Sequence, residues 1–243
     1  MISARTALVT GCSRRIGASI AQCLHDAHYS IAIHYRHSKS EALELCAKFN
    51  RKRPDSAKAF HADLEDTEAA IHLAEEALSG FGRIDTLVNN ASVYEQVPME
   101  SLDAGKFEEF FRVHMLAPYL LTMSLAPHLS KHNGCVVNIT DVYSARPAVE
   151  NALYSATKAG LESLTKSLAL QLAPKVRVNA VAPGAILMPE NFSDNNNLLE
   201  RTPLVRWGTP QEIAKTVKYL VCDATYTTGQ VLTVDGGRSV NTV

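Results

Sequence analysis

Seven short apolar runs, separated by stretches of helical spacing, constrain the fold of this chain more tightly than any other feature of it. The runs cover 6–10 (TALVT), 30–35 (SIAIHY), 57–61, 85–89 (DTLVN), 135–140, 176–181 and 230–234 (QVLTV). Helical patterns lie near 15–27, 39–53, 67–80, 101–131, 151–172 and 210–221, the fourth long enough to be read as broken. Continuous apolar strands alternating with helices predict an α/β fold whose parallel sheet is covered on both faces. The last helix has clear start chemistry, with Thr209 as N-cap, Pro210 at the first helical position and Glu212 closing a capping box. No repeat or low-complexity linker divides the chain, so residues 1–243 read as one domain. The one compositional break is 184–200 (GAILMPENFSDNNNLLE), a polar loop expected at the C-terminal edge of the sheet, where such folds bind ligands.

Bulk properties narrow the function classes. The chain is 46% hydrophobic and 20% charged, ordinary for a globular protein with a real core. Its 24 Lys+Arg nearly balance 25 Asp+Glu, which argues against a grip on nucleic acid or on an anionic membrane. No apolar run approaches the roughly 18 residues of a membrane span. The N-terminus enters a strand-like run at once, leaving no room for a signal peptide. Five scattered cysteines without a C-x-x-C pair fit reduced thiols in a cytoplasm, and the histidines form no ligand cluster, so no metal is expected.

The turn after the first strand, VTGCSRRIG, places Gly11 and Gly17 six apart, with Arg15 at the place of a middle glycine. Glycines there let backbone N–H groups approach a pyrophosphate at the helix N-terminus. The same spacing also suits an ordinary βα turn, but Arg14 and Arg15 add cations beside the anion site. The second strand ends in Tyr35, Arg36, His37, Ser38 and Lys39. An NAD-type fold puts an acid in that region for the adenine ribose, whereas a basic cluster suits a 2′-phosphate and hence NADPH.

Tyr154 and Lys158 lie four apart, on one face of a helix. A neighbouring ammonium is expected to lower the phenol pKa and make the tyrosine a usable proton donor. Tyr-x-x-x-Lys alone is common by chance. Together with VTGxxxxIG, NNAS at 89–92, VAPG at 181–184 and VDGG at 234–237, it resembles the short-chain dehydrogenase/reductase family over essentially the whole chain. The resemblance implies a single-domain, doubly wound Rossmann-type fold with a seven-stranded parallel sheet, usually a homotetramer. It also implies hydride transfer between a nicotinamide and a carbonyl, alcohol or C=N group. By matching position, Tyr154 would donate the proton and Lys158 would bind the nicotinamide ribose. Gly11, Arg14, Arg15, Ile16, Tyr35, Arg36, His37 and Ser38 would hold the phosphates and adenine ribose. Asp63 and Leu64 would meet the adenine, and Asn89, Ala91, Pro183 and Gly184 would line the rest of the cofactor.

Thirteen residues before Tyr154, where that family usually has a serine, stands Asp141. A carboxylate repels a developing oxyanion, so a ketone reductase gains nothing from it. It could pass a proton to a ring nitrogen or accept hydrogen bonds from an amino-pyrimidine edge; the bland alternative is a turn cap. The departure resembles the pteridine reductases and bacterial dihydromonapterin reductases, which implies a pterin contacted by Arg15, Ser92, Tyr94, Asp141 and Tyr154. His114 stands where the wider family has an asparagine. It could keep a proton relay through its carbonyl, titrate near pH 6.5, or simply be a core residue. A 3-oxoacyl thioester or generic carbonyl reductase is the nearest alternative, and a non-catalytic NADP(H)-binding regulator the alternative from another class.

Overall fold

The computed structural model describes residues 4–95, 97, 104–147, 151–187 and 199–241. Seven strands form one parallel sheet: β1 Thr6–Val9, β2 Ser30–Tyr35, β3 Ala57–His61, β4 Thr86–Asn89, β5 Cys135–Ile139, β6 Arg177–Pro183 and β7 Val231–Val234. Their order is β3-β2-β1-β4-β5-β6-β7, so the chain reverses direction across the sheet between β1 and β4. That switch point opens a crevice at the C-terminal strand ends. The helices are α1 Arg15–Asp26, α2 Lys39–Lys52, α3 Thr67–Phe81, α4 Ala104–Phe111, α5 Ala117–Lys131, α6 Ala152–Leu172 and α7 Pro210–Cys222.

Strand residues alternate between two apolar layers because successive side chains point to opposite faces. Val9, Ile33, Val88 and Val137 pack with Ile20 and Leu24 of α1 and Val217 of α7. Leu8, Leu87, Val136 and Val178 pack on the other face with Leu73, Leu121, Leu125 and Leu168. The expected capping box opens α7: the Glu212 amide donates to Thr209 Oγ1 at 3.4 Å, and the Thr209 amide to Glu212 Oε2 at 2.8 Å.

A strand boundary differs from expectation, and the expected break in the fourth helical stretch takes a particular form. Strand β6 continues to Pro183 because β7 pairs with it that far, Pro183 opposite Val234. The helical stretch at 101–131 breaks into α4 and α5 around a π-helical turn, Arg112–Leu116, in which the Ala117 amide donates to the Arg112 carbonyl. Pro118 has no N–H for the His114 carbonyl, so the α ladder cannot run through unbroken. Of the polar loop expected at 184–200, residues 188–198 lie outside the described residues.

Candidate active site

The turn from β1 into α1 is built for close backbone approach. Gly11 has φ +59°, and a Cβ there would lie 2.9 Å from Ala91 Cα. A Cβ on Gly17 would strike the Gly11 carbonyl and come within 2.6 Å of Asn90 Nδ2. Asn90 Nδ2 donates to the carbonyls of Thr10 (2.8 Å) and Gly11 (3.0 Å), tying the turn to the end of β4. The amides of Asn90 and Ala91 donate to Thr10 Oγ1. The Gly11 amide donates to His34 Nδ1 at 2.9 Å, which makes Nε2 the protonated nitrogen, donating to the Ala62 carbonyl at 3.1 Å. Burial pulls the His34 pKa down to about 4, so the imidazole stays neutral. Asn90, Thr10 and His34 escaped the sequence reading; only the doubled asparagine of NNAS hinted at them.

Arg15, standing where a glycine was expected, takes a glycine-like φ of +52°. Its neighbour Arg14 is exposed and 3.7 Å from Glu41, with no side-chain cap on α1 and no acid in that helix's first turn. Ile16 is half-buried behind the turn. Open amides and a glycine cradle fit a dinucleotide pyrophosphate.

The basic cluster after β2 is less free than its sequence suggests. The Arg36 guanidinium is half-buried, with Nε 3.0 Å from Asp63 Oδ2 and Nη1 2.6 Å from Glu65 Oε1. Asp63, expected against an adenine, lies beside Arg36, and its Oδ1 accepts from the Glu65 amide. His37 is exposed, Ser38 half-buried, and Tyr35 and Leu64 are buried. The Asn89 side chain is 3% exposed and donates to Asn138 Oδ1 at 2.8 Å inside the sheet. Asn138 in turn donates to Thr165 Oγ1, stitching β4, β5 and α6 together. Pro183 is buried, and Gly184 packs so closely that a Cβ would meet Asp235 Cα at 2.7 Å.

Beyond the strand ends, Asp141, Tyr154 and Lys158 converge. Asp141 Oδ1 accepts from the Tyr143 amide at 2.9 Å, as a turn cap does, and Oδ2 accepts from the Tyr154 hydroxyl at 3.0 Å. Lys158, 2% exposed, donates from Nζ to the Ile139 carbonyl at 3.0 Å and lies 5.7 Å from the Tyr154 ring centroid. Burial raises the Asp141 carboxyl above its ordinary range, against the pull of the Tyr143 amide and the Lys158 charge. Burial lowers Lys158 to about 8, with Asp141 opposing the fall. The Tyr154 phenol is pushed well up, first by burial and then by Asp141. A lowered phenol pKa was expected from the nearby ammonium; burial and the Asp141 charge raise it instead, and Tyr154 keeps its proton.

Ser92 and Tyr94 border this group. Tyr94 is 57% exposed and meets Tyr154 edge-on, ring centroids 5.1 Å apart. His114, on the π turn, is buried and bonded on both ring nitrogens; Nε2 lies 3.0 Å from Ser92 Oγ and 3.2 Å from the Val93 nitrogen, and Nδ1 lies 2.9 Å from Thr157 Oγ1. Burial, then the Lys158 charge, lowers its pKa to about 2, so the reading of His114 as a group titrating near pH 6.5 is corrected. Among the described residues no cluster of His, Cys, Asp and Glu could hold a metal, and no helix is long and apolar enough to cross a membrane.

A family profile described as Enoyl-(Acyl carrier protein) reductase matches residues 11–239. The chain is 31% identical to pteridine reductase 1 of Leishmania tarentolae, over 98% of this chain and 97% of that protein. It is 35% identical to a 3-oxoacyl-[acyl-carrier-protein] reductase of Staphylococcus aureus, over 96% and 97%. It is also 36% identical to a putative ketoacyl reductase of granaticin polyketide synthase from Streptomyces violaceoruber, over 96% of each chain. Among solved structures, a blue fluorescent protein from a metagenomic library in complex with NADPH superposes with a TM-score of 0.92 at 29% identity, covering 96% of this chain and 97% of that one. A short-chain dehydrogenase/reductase of Serratia marcescens gives 0.91 at 30%, covering 97% and 98%. With the glycine cradle at the β1–β4 switch point and the Tyr154–Lys158 pair beside it, this chain belongs to the short-chain dehydrogenase/reductase family as a nicotinamide-dependent oxidoreductase.

Proposed function

We propose that this protein is an NADPH-dependent pteridine reductase, taking a dihydropteridine such as dihydromonapterin, dihydrobiopterin or dihydrofolate to its tetrahydro form. The observation that carries the reading is the Asp141 carboxylate 3.0 Å from the Tyr154 hydroxyl. A buried carboxyl there disfavours an oxyanion and favours a ring nitrogen that must be protonated. A nicotinamide dinucleotide, when bound, supplies the hydride for the carbon of the C=N bond. Tyr154 holds the proton for the nitrogen, and Asp141, its pKa raised, can share and restore it. Lys158 keeps a positive charge near the phenol. The half-exposed Tyr94 ring offers a flat wall for a heterocycle, while Ser92 and Arg15 supply polar contacts. Arg14, Arg15 and the Arg36–Ser38 segment would hold the cofactor phosphates. The enzyme works as a homotetramer in the cytoplasm, where its five free thiols suit a reducing compartment.

A 3-oxoacyl thioester reductase is the second reading, supported by the relatives of that name at 35–36% identity. NADPH oxidation compared across dihydromonapterin, dihydrobiopterin, dihydrofolate and an acetoacetyl thioester separates the two. A pterin is expected to win by about a hundredfold in kcat/KM, about 2.7 kcal/mol of transition-state discrimination. Asp141→Ser should remove most of that advantage while NADPH affinity stays near normal. Preference for the thioester would overturn the substrate and leave the cofactor standing.

A further inference from the structure

The chain after β7 folds back onto the loop that carries Asp141. Residues Arg238–Val240 form a 3₁₀ turn that is tied down at both ends. At its start Asp235 accepts from the Gly237 amide at 2.9 Å and from the Ser239 amide at 2.6 Å. At its far end Arg146 Nη1 reaches the carbonyls of Arg238 and Ser239, each at 3.0 Å, and that of Asn241. Arg146 lies five residues beyond Asp141 in the loop after β5, so this clamp sets the turn against the reacting group.

The result is a guanidinium held beside the substrate position. Arg238 Nη2 donates to the Tyr143 hydroxyl at 3.2 Å, with Cζ 5.5 Å from the centroid of that ring. The charge reaches both Asp141 and Tyr94, drawing the two down against the rise that burial imposes on each. Those groups flank Tyr154, one through a hydrogen bond and the other as an edge-on ring. Arg14, Arg36, Arg83 and Arg206 each have a carboxylate partner. Among the described residues no carboxylate pairs with Arg238, which is half-buried. A neutral phenol occupies one of its N–H groups and balances none of its charge. With Lys158 it sets two positive charges around Asp141, which can balance one.

We propose that Arg238 determines specificity at this site by binding an anionic group, a carboxylate or a phosphate, on the side chain of the substrate, so that acidic pteridines are preferred to neutral ones. The inference rests on the pteridine reading and narrows it. A planar guanidinium matches either anion with parallel N–H donors. The clamp from Asp235 and Arg146 fixes the backbone of Arg238 beforehand, which spares part of the ordering cost of such a contact.

NADPH oxidation with dihydrofolate, which carries carboxylates, dihydroneopterin monophosphate and the neutral dihydrobiopterin tests it. The native enzyme should prefer at least one acidic substrate over dihydrobiopterin by about tenfold in kcat/KM, mainly through KM, the scale of a partly exposed charge-assisted hydrogen bond. The better of the two acidic substrates identifies the anion. In Arg238→Gln the preference should fall below about twofold, and Arg238→Lys should restore part of it. Loss of the charge also acts on Asp141, but every substrate meets the same Asp141, so that effect cancels in the ratio. Equal losses for acidic and neutral substrates would mean that Arg238 serves Asp141 alone, and would overturn the proposal. The native enzyme gives a second test that needs no variant: raising ionic strength from about 0.02 to about 0.2 M should shrink the acidic preference severalfold. A preference indifferent to salt overturns the proposal, and so does pteridine turnover with no acidic preference, which leaves the pteridine reading standing. If acetoacetyl thioester is reduced and no pteridine is, the pteridine reading has failed and this inference falls with it.

Discussion

Arg36 stands where the second strand hands the chain to α2, and it holds two carboxylates in place rather than waiting as a free cation. This makes it more consequential for a phosphorylated cofactor. Arg36→Ala would leave Asp63 and Glu65 unneutralised in the path of a 2′-phosphate as well as removing a cation. The expected outcome is an NADPH affinity weakened by about 2 kcal/mol, roughly thirtyfold, the scale of a lost charge-assisted bond. NADH affinity should change by less than about threefold. Equal losses for the two cofactors, measured by fluorescence titration, would show that Arg36 only shapes the strand end. Arg15 makes a related point. Its φ of +52° is a glycine's conformation carried by an arginine, a local cost of about 1 kcal/mol. Side-chain chemistry at an anion-binding turn is a physical reason to bear that cost.

At the scale of elements, the strand periods, the α7 capping box and the glycine turn were legible because each is a local property. A capping box needs four consecutive residues, and a buried strand needs only its own apolar run. The π turn was half legible: Pro118 announces a broken ladder, yet nothing local places the extra residue at His114. Asn89 shows the limit of motif reading. In NNAS the first asparagine turns into the sheet toward Asn138 and the second clamps the β1 turn. Strand pleat, a tertiary register, decides which of two identical neighbours faces the site. Asp141 was read as either a cap or an acid; one oxygen caps the turn through the Tyr143 amide and the other accepts from the Tyr154 hydroxyl.

The whole molecule carries two further consequences. His34 and His114 are buried neutral, held at about 4 and about 2 against an ordinary 6.5. In the unfolded chain both take up protons as pH falls below 6.5, so the unfolded state binds more protons and stability falls with pH. At pH 5 each should account for about 2 kcal/mol lost relative to pH 7. The raised Asp141 has the opposite sign, its contribution favouring the fold at low pH and fading as pH rises through its elevated pKa. The urea midpoint should drop measurably from pH 7 to pH 5, and a midpoint constant over that range would refute neutral burial of the two rings. Quaternary state is the other matter. The stacked Phe107 and Phe111 on α4, Tyr119 on α5 and Leu170 on α6 leave large apolar surface open on a single chain. Sedimentation equilibrium should return four times the 26.5 kDa chain mass, and the mass of one chain would sink the tetramer.

Sequence alone determined the alternating architecture, the cofactor turn and the pairing of Tyr154 with Lys158, because each rests on spacing within a single element or across one turn. It also singled out Asp141, through a resemblance and the chemistry of a misplaced carboxylate. Tertiary structure decided the rest. It showed that burial and Asp141 raise the Tyr154 phenol, that Arg36 is already paired, and that His114 faces Ser92 on one side and Thr157 on the other. Desolvation and hydrogen-bond direction depend on what the fold brings from distant parts of the chain, and no run of neighbouring residues encodes them.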